Sequence, residues 1–418
     1  MIDVLTSRDA LRPPPSGVPP QLLLLTGARL ALDAQTTVRA DLLMEGGRIG
    51  EITASKRNHR HENVVDLSGY LLLPGLINAH DHLEFNLFPR LGRGPYANFE
   101  AWASDIYHPE LSPVREHLHV PKGVRLWWGG LKNLLCGVTT VCHHNPYEPS
   151  VFTEEFPVRV LRHYAWVHSI RLGTDLQAVL RALSPDAPFL IHLGEGTDEA
   201  SRQEIFELDR LGGLDERTVI IHGVGLDAAG HTLLEARGAA LVWCPSSNVF
   251  TLGRTLDRAT LLCHDRVALG SDSTLTAEGD LLDEVRFACG RVGFAPKEIF
   301  QAVTRRAAEV LRLTDGEGSL APGTVADVIA VPDAGDSPAA TLLKSSFRDI
   351  ECVIVGGRAR LLSPRLARRW IPSPGEEYGR LRMEGIERLL DAPVIRLFEQ
   401  AKEHLPGGLR LAGRQVEV

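Results

Sequence analysis

Residues 71–82 have the sequence LLLPGLINAHDH, an apolar run that ends in two histidines one residue apart. Side chains at positions i and i+2 leave a β-strand on the same face, so the imidazoles of His80 and His82 can reach one metal ion. Asp81, between them, is expected to point to the opposite face. We therefore predict a buried strand that carries two metal ligands at its C-terminal end. The spacing alone is not specific, because residues 117–119 (HLH) share it and follow no apolar strand.

The composition is that of a globular protein and excludes several classes of function. The chain has 418 residues, 44% of them hydrophobic and 23% charged, which is enough for one or two domains with a large core. A net charge of −8 and the absence of a Lys/Arg cluster argue against a nucleic-acid partner. The apolar runs are too short to span a membrane, and the N-terminus lacks the apolar region of a signal peptide. The six cysteines show no paired spacing and are interpreted as reduced thiols of a cytoplasmic protein.

The sequence pattern divides the chain into parts. Residues 1–20 are rich in proline and predict an N-terminal extension. Residues 21–73 and 317–364 contain short β-prone runs between turn signals, and we expect them to form one small β-sandwich domain built from both chain ends. Residues 74–316 alternate apolar runs with amphipathic stretches. Residues 365–418 are interpreted as a C-terminal helical tail.

Local signals predict individual elements within these parts. Gly46-Gly47 lies between two β-prone runs and indicates a hairpin. Residues 124–136 have helical periodicity and stop at Gly137, a suitable residue after a helix C-terminus. Residues 158–168 predict a strand, and residues 375–390 predict a helix in the tail.

The alternation in residues 74–316 predicts a parallel sheet covered by helices. Near-continuous apolar runs such as 189–192, 219–222 and 267–272 are separated by amphipathic stretches. With this many strands, a closed (β/α)8 TIM-type barrel is favoured over an open doubly wound sheet, and no glycine-rich dinucleotide fingerprint is found. The predicted fold class is therefore α/β.

Potential ligands stand at the ends of four predicted strands, at His80 and His82, His192, His222 and Asp272. The carboxyl ends of barrel strands meet at one mouth, where barrel enzymes carry out their chemistry. All five side chains offer nitrogen or oxygen donors of the kind that zinc and iron bind. His222 can be a ligand or a partner that orients a water molecule; both interpretations remain open.

Glu195 follows His192 by three residues, at the start of the loop after the strand. A carboxyl group at this position can share the pocket of His192 and shuttle protons. The alternative is structural: Glu195 precedes residues 197–199 (TDE) and can be an acidic residue near a helix N-terminus. These residue types alone do not decide between the two interpretations.

Six segments together resemble the successive motifs of the amidohydrolase superfamily, and within it the branch of cytosine, guanine, S-adenosylhomocysteine and triazine aminohydrolases. They are PGLINAHDH (74–82), IHLGE (191–195), IHGV (221–224), WCPSSN (243–248), LGSDS (269–273) and GSLAPGTVAD (318–327). The resemblance runs in order from about residue 22 to residue 360. It implies a metal held by His80, His82, His192 and Asp272, with Glu195 and His222 as catalytic partners.

The number of metal ions follows from an absent residue. Superfamily members with two metals commonly bridge them with a carboxylated lysine on the fourth barrel strand, and no lysine occurs here between Lys132 and Lys297. One divalent ion per chain is therefore expected, with Zn2+ favoured and Fe2+ as the alternative. Cys142, His143 and His144 offer donors for a second ion but are interpreted as substrate contacts or structural residues, as is His168.

The resemblance implies a metal-dependent aminohydrolase, a hydrolase that acts on C–N bonds. It would deaminate a cyclic amidine in a purine- or pyrimidine-like ring, through hydroxide attack at the metal with release of ammonia. Asp272 would take the proton of the water, His222 would hold the hydroxide or oxyanion, and Glu195 would protonate the ring nitrogen. The residues expected to contact this small heterocyclic substrate are Glu84, Asn86, His143, His144 and His168.

Two alternatives have different chemistry. An amidohydrolase that opens a lactam or imidazolone ring would use the same residues but would release no ammonia in its first step. A catalytically inactive relative that acts as a scaffold would be expected to lose ligands, and the ligand set here is complete. A homodimer is the default expectation for such a chain.

Overall fold

The computed structural model describes residues 22–54, 63–172, 175–370 and 378–418. The proline-rich extension predicted for residues 1–20 lies outside these ranges. Among the described residues, no helix is both long and apolar enough to cross a membrane. The fold is mixed α/β, and its strands form four sheets.

The strands before the first histidine pair form antiparallel hairpins and two parallel pairs. They are β1 (Leu22–Thr26), β2 (Arg29–Ala31), β3 (Thr37–Arg39), β4 (Asp41–Glu45), β5 (Arg48–Thr53), β6 (Val64–Asp66) and β7 (Tyr70–Pro74). The hairpin predicted at Gly46-Gly47 is confirmed: it joins β4 to β5, and both glycines have positive φ, 56° and 80°. A tight two-residue turn requires such positive φ values, which residues with a Cβ rarely adopt.

Eight strands follow that pair only in the parallel sense. They are β8 (Leu76–Asp81), β9 (Val138–His143), β10 (Arg159–Val160), β11 (Ala165–Val167), β12 (Phe189–Leu193), β13 (Thr218–His222), β14 (Ala240–Trp243) and β15 (Val267–Leu269). One sheet has the order β10-β9-β8 and another the order β11-β12-β13-β14-β15. Within the described residues no ladder joins β8 to β15, although the amide of Asp272 donates to the carbonyl of His80 over 3.0 Å.

Helices and short turns connect these strands. The helices are α1 (Phe99–Ile106), α2 (Val114–His119), α3 (Lys122–Leu135), α4 (Leu176–Ala182), α5 (Glu199–Arg210), α6 (Ala228–Ala236), α7 (Pro245–Leu252), α8 (Arg258–Leu262), α9 (Leu281–Phe287), α10 (Pro296–Ala302), α11 (Arg305–Val310), α12 (Pro338–Lys344), α13 (Pro364–Ala367) and α14 (Val394–Lys402). Helix α3 confirms the helix predicted over residues 124–136, and Gly137 after it has φ 85°. One hydrophobic cluster takes residues from both parallel sheets, among them Ile77, Leu190, Ile221 and Val242.

The stretch LLLPGLINAHDH is two strands and not one, which corrects the prediction of a single buried strand. Strand β7 pairs with the antiparallel neighbour β16 (Val328–Pro332), and β8 pairs in parallel with β9. The chain crosses from one sheet to the other at Gly75, where a Cβ would lie 2.2 Å from the Thr139 hydroxyl. A glycine is required there because Thr139 comes so close to the backbone.

The strand predicted over residues 158–168 is also wrong as a continuous element. Strands β10 and β11 are separated by residues 161–164, of which Arg162 and His163 are exposed. Both halves still pair in parallel with a neighbour, β10 with β9 and β11 with β12. A polar pair in the middle of the run explains the break.

The C-terminal part returns to antiparallel strands. After β16 they are β17 (Cys352–Val355), β18 (Arg358–Leu362), β19 (Gly379–Met383), β20 (Ile386–Leu390), β21 (Leu409–Leu411) and β22 (Arg414–Glu417). Strands β16 to β22 join β7, β2 and β3 in one ten-stranded sheet. This sheet and the sheet of β5-β4-β1-β6 share a hydrophobic cluster that includes Leu25, Leu42, Leu72 and Val328.

The prediction of a helix over residues 375–390 is wrong for the residues that the structure describes, since residues 379–390 form the hairpin of β19 and β20. Leu381 and Met383 are buried while Arg380 and Arg382 are exposed, which is the alternation of a strand. The turn residues Glu384 and Gly385 have φ 49° and 76°. The tail is consequently mostly an extension of the large sheet, with α14 packed beside it, and not a helical unit.

Candidate metal centre

The predicted metal ligands lie together at the C-terminal ends of the parallel strands. Nε2 of His80 is 3.3 Å from Nε2 of His192 and 3.8 Å from Oδ1 of Asp272. Nε2 of His82 is 3.9 Å from the same Asp272 oxygen. Donors placed tetrahedrally about 2.1 Å from an ion are about 3.4 Å apart, and these three separations are close to that value. Donor atoms within 4.8 Å of one another form two groups that share His80: His80, His82 and Asp272, and His80, His192 and His222.

The protonation states also suit a metal. Burial, followed by the charges of neighbouring imidazoles, lowers the pKa of His80 and His192 well below the usual value, so both rings are neutral. Nδ1 of His192 donates to the carbonyl of His168 over 3.0 Å, which leaves the lone pair on Nε2. Neutral imidazoles and a carboxylate are the ligand types that zinc prefers, so the residues present fit such an ion.

Asp272 is held from three sides. Its Oδ2 accepts from the hydroxyls of Ser247 at 2.7 Å and Thr276 at 3.3 Å, and its Oδ1 accepts from the amide of Ser273 at 2.7 Å. Burial works to raise the pKa of Asp272, but the nearby imidazoles and these hydrogen bonds lower it on balance. The residue has φ 53°, an uncommon backbone conformation for a side chain with a Cβ.

His222 and Glu195 face each other beside these donors. Oε2 of Glu195 is 3.6 Å from Nε2 of His222, and Nδ1 of His222 contacts the Asn248 amide oxygen at 2.7 Å. The Asn248 oxygen can only accept, so Nδ1 carries the proton and Nε2 is free. The backbone of His222 has a positive φ of 74°. Donor atoms of His80, His192 and His222 lie within 4.8 Å of one another, so His222 can also act as a ligand beside the other two.

Glu195 has a raised pKa, which favours its protonated form. Burial raises its pKa well above the usual value, and the charges of Asp272 and Glu204 raise it further. The loop that carries it is fixed by Glu204, whose Oε2 accepts from the Gly194 amide at 2.6 Å. Burial raises the pKa of Glu204 to about 7, and Arg171 lies 2.8 Å from its other oxygen. Glu195 therefore keeps its proton to higher pH than an exposed glutamate does, and the loop that carries it is fixed.

A cavity of about 390 Å³ opens above these residues. His82, His192, Glu195, His222 and Asp272 line its inner part. Its remaining wall is mainly apolar and aromatic, with Phe85, Phe99, Trp102, Leu172 and Leu275. An apolar cavity of this size with a few convergent polar groups is typical of a small-molecule site.

Of the five residues expected to contact a substrate, one lines the cavity and four do not. His168 lines the cavity, and burial lowers its pKa to about 4. Glu84, Asn86, His143 and His144 are buried and are not among the residues that line it.

The four residues have polar partners elsewhere, which explains this correction. A carboxylate oxygen of Glu84 lies 3.5 Å from Nε2 of His143, and Nε2 of His144 is bonded to the carbonyl of Val167. The amide of Asn86 contacts Asp81 at 2.8 Å.

Several supporting residues were missed in the sequence. Ser247 and Asn248 stood within a recognised motif, WCPSSN, but had no role assigned. Lys132 is almost fully buried in the apolar helix α3, and a single lysine among WWGGLKNLL was a signal that could have found it. Glu204 lies on an amphipathic helix and gave no signal of its own.

Comparison with known proteins shows what this chain is similar to. The model of the amidohydrolase family matches residues 174–360. Among curated proteins, a 5-methylthioadenosine/S-adenosylhomocysteine deaminase from Pyrococcus furiosus is 26% identical over 64% of this chain and 74% of its own length. One from Natronomonas pharaonis is 27% identical over 80% of this chain and 91% of its own. A 5'-deoxyadenosine deaminase from Methanothrix thermoacetophila is 25% identical over 74% and 85%.

Solved structures share the fold at lower identity. An atrazine chlorohydrolase from Arthrobacter aurescens TC1, complexed with zinc, has a TM-score of 0.69 and 16% identity over 92% of this chain and 100% of its own. An adenosine deaminase from Xanthomonas campestris with bound zinc has a TM-score of 0.66 and 17% identity over 92% and 98%.

Proposed function

We propose that the chain is a member of the amidohydrolase family, whose model matches residues 174–360, and that it is a metal-dependent aminohydrolase that deaminates a purine-like ring. One observation carries the proposal most directly. The imidazoles of His82, His192 and His222 and the carboxyl group of Glu195, whose pKa is raised, line one cavity. The relatives, named as deaminases of adenosine-type compounds, support the same reaction.

His80, His82, His192 and Asp272 would hold the metal. A divalent ion bound there would act as a Lewis acid and lower the pKa of a water molecule, so that hydroxide is available near neutral pH. Because the chain lacks a lysine between Lys132 and Lys297, we propose one ion per chain, Zn2+ in preference to Fe2+.

Three side chains move or hold protons in the proposed reaction. Asp272, whose carboxylate faces the histidine edges, accepts the proton of the attacking water. Glu195 gives its proton to the ring nitrogen beside the attacked carbon. His222, oriented by Asn248, holds the oxygen that adds to the carbon. The tetrahedral carbon then expels the amino group as ammonia, with the proton returned by Asp272. The proton of the added hydroxyl passes back to Glu195, so that the ring ends with a carbonyl beside an N–H.

The cavity supports a flat, uncharged heterocycle as the substrate. Phe85, Phe99 and Trp102 offer aromatic surface to a ring, and we propose that His168 contacts it directly. None of the described residues that line the cavity is a lysine or arginine, whereas Glu100, Glu195 and Asp272 are acidic. A nucleoside or free base therefore fits better than a nucleotide.

The finer architecture is also a proposal. We infer that the sheets β10-β9-β8 and β11-β12-β13-β14-β15 are arcs of one closed (β/α)8 barrel, with a two-layer β-sandwich beside it. The support is the chain order of the parallel strands and the hydrophobic cluster that both arcs share. For the sandwich, it is the cluster shared by the two antiparallel sheets.

The proposal is tested by assaying ammonia release from a panel of adenine, guanine and cytosine bases and nucleosides, with adenosine 5'-monophosphate included. We expect ammonia from at least one nucleoside or base, turnover proportional to metal up to one equivalent per chain by elemental analysis, and none from the nucleotide. If no member releases ammonia and a lactam or imidazolone is opened instead, the deaminase proposal is wrong and the ring-opening alternative replaces it.

A further inference from the structure

The metal ligands come from two sheets that no ladder joins within the described residues. His80 lies near the end of β8, His82 directly follows that strand, and Asp272 follows β15. Only one backbone hydrogen bond between these ends is found there, from the amide of Asp272 to the carbonyl of His80. The relative position of the ligands is therefore set in large part by side chains.

Asp81 is the residue between the two histidines, and its side chain points away from them into the protein interior. It is fully buried, as is the lysine that it meets: Nζ of Lys132 lies 3.0 Å from Asp81 Oδ2, with side-chain exposures of 1% and 0%. A buried charge is tolerated when it is paired and its remaining hydrogen-bonding capacity is used. Here a lysine from helix α3 neutralises the carboxylate of β8.

Lys132 also contacts the other sheet. Its Nζ donates to the Ser271 hydroxyl and to the Asp272 carbonyl, both at 3.2 Å, and to the Asn86 amide oxygen at 2.8 Å. One ammonium group thus contacts both the strand end that carries the histidines and the backbone of the acidic ligand. A compact ammonium with three donors suits such divergent acceptors.

Amide side chains complete the connection. Asn133 donates to Asp81 Oδ2 at 2.8 Å, and Asn86 donates to Oδ1 at 2.8 Å. Asn78 donates to the Ser271 hydroxyl at 2.8 Å and accepts from the Ser271 amide at 3.0 Å. We call Asn78, Asp81, Asn86, Lys132, Asn133 and Ser271 the seam network.

We propose that the seam network positions the metal ligands by joining the ends of β8 and β15, with the Asp81–Lys132 pair at its centre. The inference rests on the proposed metal site but concerns residues that do not touch the metal or the substrate. Partners of this kind typically change metal affinity by about 10- to 100-fold when they are removed.

The test uses a double variant, because removing one charge would leave the other buried and unpaired. Asp81→Asn combined with Lys132→Met removes both charges, a replacement that buried pairs often tolerate. We expect a folded protein whose dissociation constant for Zn2+ is raised about 10- to 100-fold in chelator competition. After loading with Co2+, its visible absorption bands should shift, which reports ligand geometry without reference to turnover.

The control is another ion pair, Arg159–Asp327, whose charged atoms are 2.6 Å apart and which lies outside the seam network; Asp327 is buried and Arg159 is partly exposed. Arg159→Met combined with Asp327→Asn is expected to lower the melting temperature while leaving Zn2+ affinity and the Co2+ spectrum unchanged. A loss of affinity equal to that of the first variant would overturn the inference, because it would follow from general destabilisation.

Ser271→Ala serves if the double variant does not fold, since it removes the contact with β15 and changes no charge. We expect it to weaken Zn2+ binding several-fold in the same assay. Wild-type affinity and spectrum in a folded double variant, or in Ser271→Ala, would overturn the seam network while leaving the proposed function standing. If the wild-type chain binds neither Zn2+ nor Co2+, the metal site itself is wrong and the seam network falls with it.

Discussion

At the end of strand β8, the side chains on the two faces differ in whether their polar atoms have hydrogen-bond partners. On the cavity face, His80 and His82 have Nδ1 atoms without a hydrogen-bond partner among the described residues. Their Nε2 atoms approach other donors at 3.3 to 3.9 Å. On the opposite face, both oxygens of Asp81 are bonded, to Asn86, Asn133 and Lys132.

This difference distinguishes the side chains proposed to bind the metal from the side chains that hold them in position. Imidazole Nε2 atoms that lie 3.3 to 3.9 Å from one another and from a carboxylate oxygen form a group that a bound cation can satisfy. A carboxylate whose oxygens are all bonded is available to no ligand and can only hold its neighbours in place. Substitutions on the cavity side should therefore reduce turnover with little effect on stability, and substitutions on the supporting side should do more to stability and geometry.

The largest expected effect is at Glu195. Glu195→Gln removes the acidic proton, whose pKa burial raises, but keeps the size of the side chain. We expect kcat to fall by roughly 10²-fold or more, the scale of a general acid, with metal content and melting temperature close to those of the wild type.

Glu100→Gln is the matched control, because Glu100 lines the same cavity but its side chain is 40% exposed and pairs with Arg171. It should retain most of the wild-type kcat. Equal losses in the two variants would indicate a general effect of charge in the cavity and would contradict the acid role of Glu195.

The proximity of the proposed ligands could be predicted from the sequence because period-two alternation and strand ends are local properties. His80, His82, His192 and Asp272 each end an apolar run, and parallel strands bring such ends to one edge. The supporting side could not be predicted in this way. Lys132 reaches Asp81 across 51 positions of the chain, and no local pattern encodes that contact.

A smaller effect is expected at Asn248, which fixes the proton of His222 on Nδ1. Asn248→Ala removes this acceptor, so the ring can rotate or change tautomer. We expect kcat/KM to fall by roughly 10-fold, the low end for a residue that acts through another, with metal content retained. Asn248→Asp keeps an acceptor for Nδ1 and should recover most of the loss; an activity as low as that of the alanine variant would show that orientation of His222 is not the reason.

Backbone conformation was the second feature that the sequence did not reveal. His222 and Asp272 both adopt positive φ, 74° and 53°, although neither is a glycine. Such conformations persist only where surrounding contacts fix them, here through Asn248 and through Ser247 and Thr276. The C-terminal hairpin was missed for a simpler reason: residues 379–390 have alternating burial in the structure, but their Arg, Leu and Met side chains are also good helix formers.

The smallest expected effect is on the supporting side, at Glu284 of helix α9. Its Oε2 accepts from the amide of Ser246 at 3.0 Å, and its Oε1 accepts from the Ser246 hydroxyl. Ser246 opens helix α7 with Ser247 and Asn248, which contact Asp272 and His222. Burial, more than the charge of Asp283, raises the pKa of Glu284 to about 8.

The raised pKa of Glu284 determines the sign of the change in the free energy of unfolding with pH. Between its unfolded pKa, about 4.5, and its folded pKa, about 8, the folded chain holds a proton at Glu284 that the unfolded chain has lost. The free energy of unfolding must therefore decrease as the pH rises through this window, by up to about 1.4 kcal/mol per pH unit for one such group. Glu284→Gln has no group to ionise, so its unfolding free energy, measured with denaturant at pH 5.5, 6.5 and 7.5, should fall less steeply than that of the wild type. Glu204, whose pKa is raised to about 7, contributes a slope of the same sign to both proteins and cancels in their difference. Parallel pH profiles for the two proteins would mean that Glu284 is ionised throughout, and that Ser246 is held by a charged carboxylate and not by a protonated one.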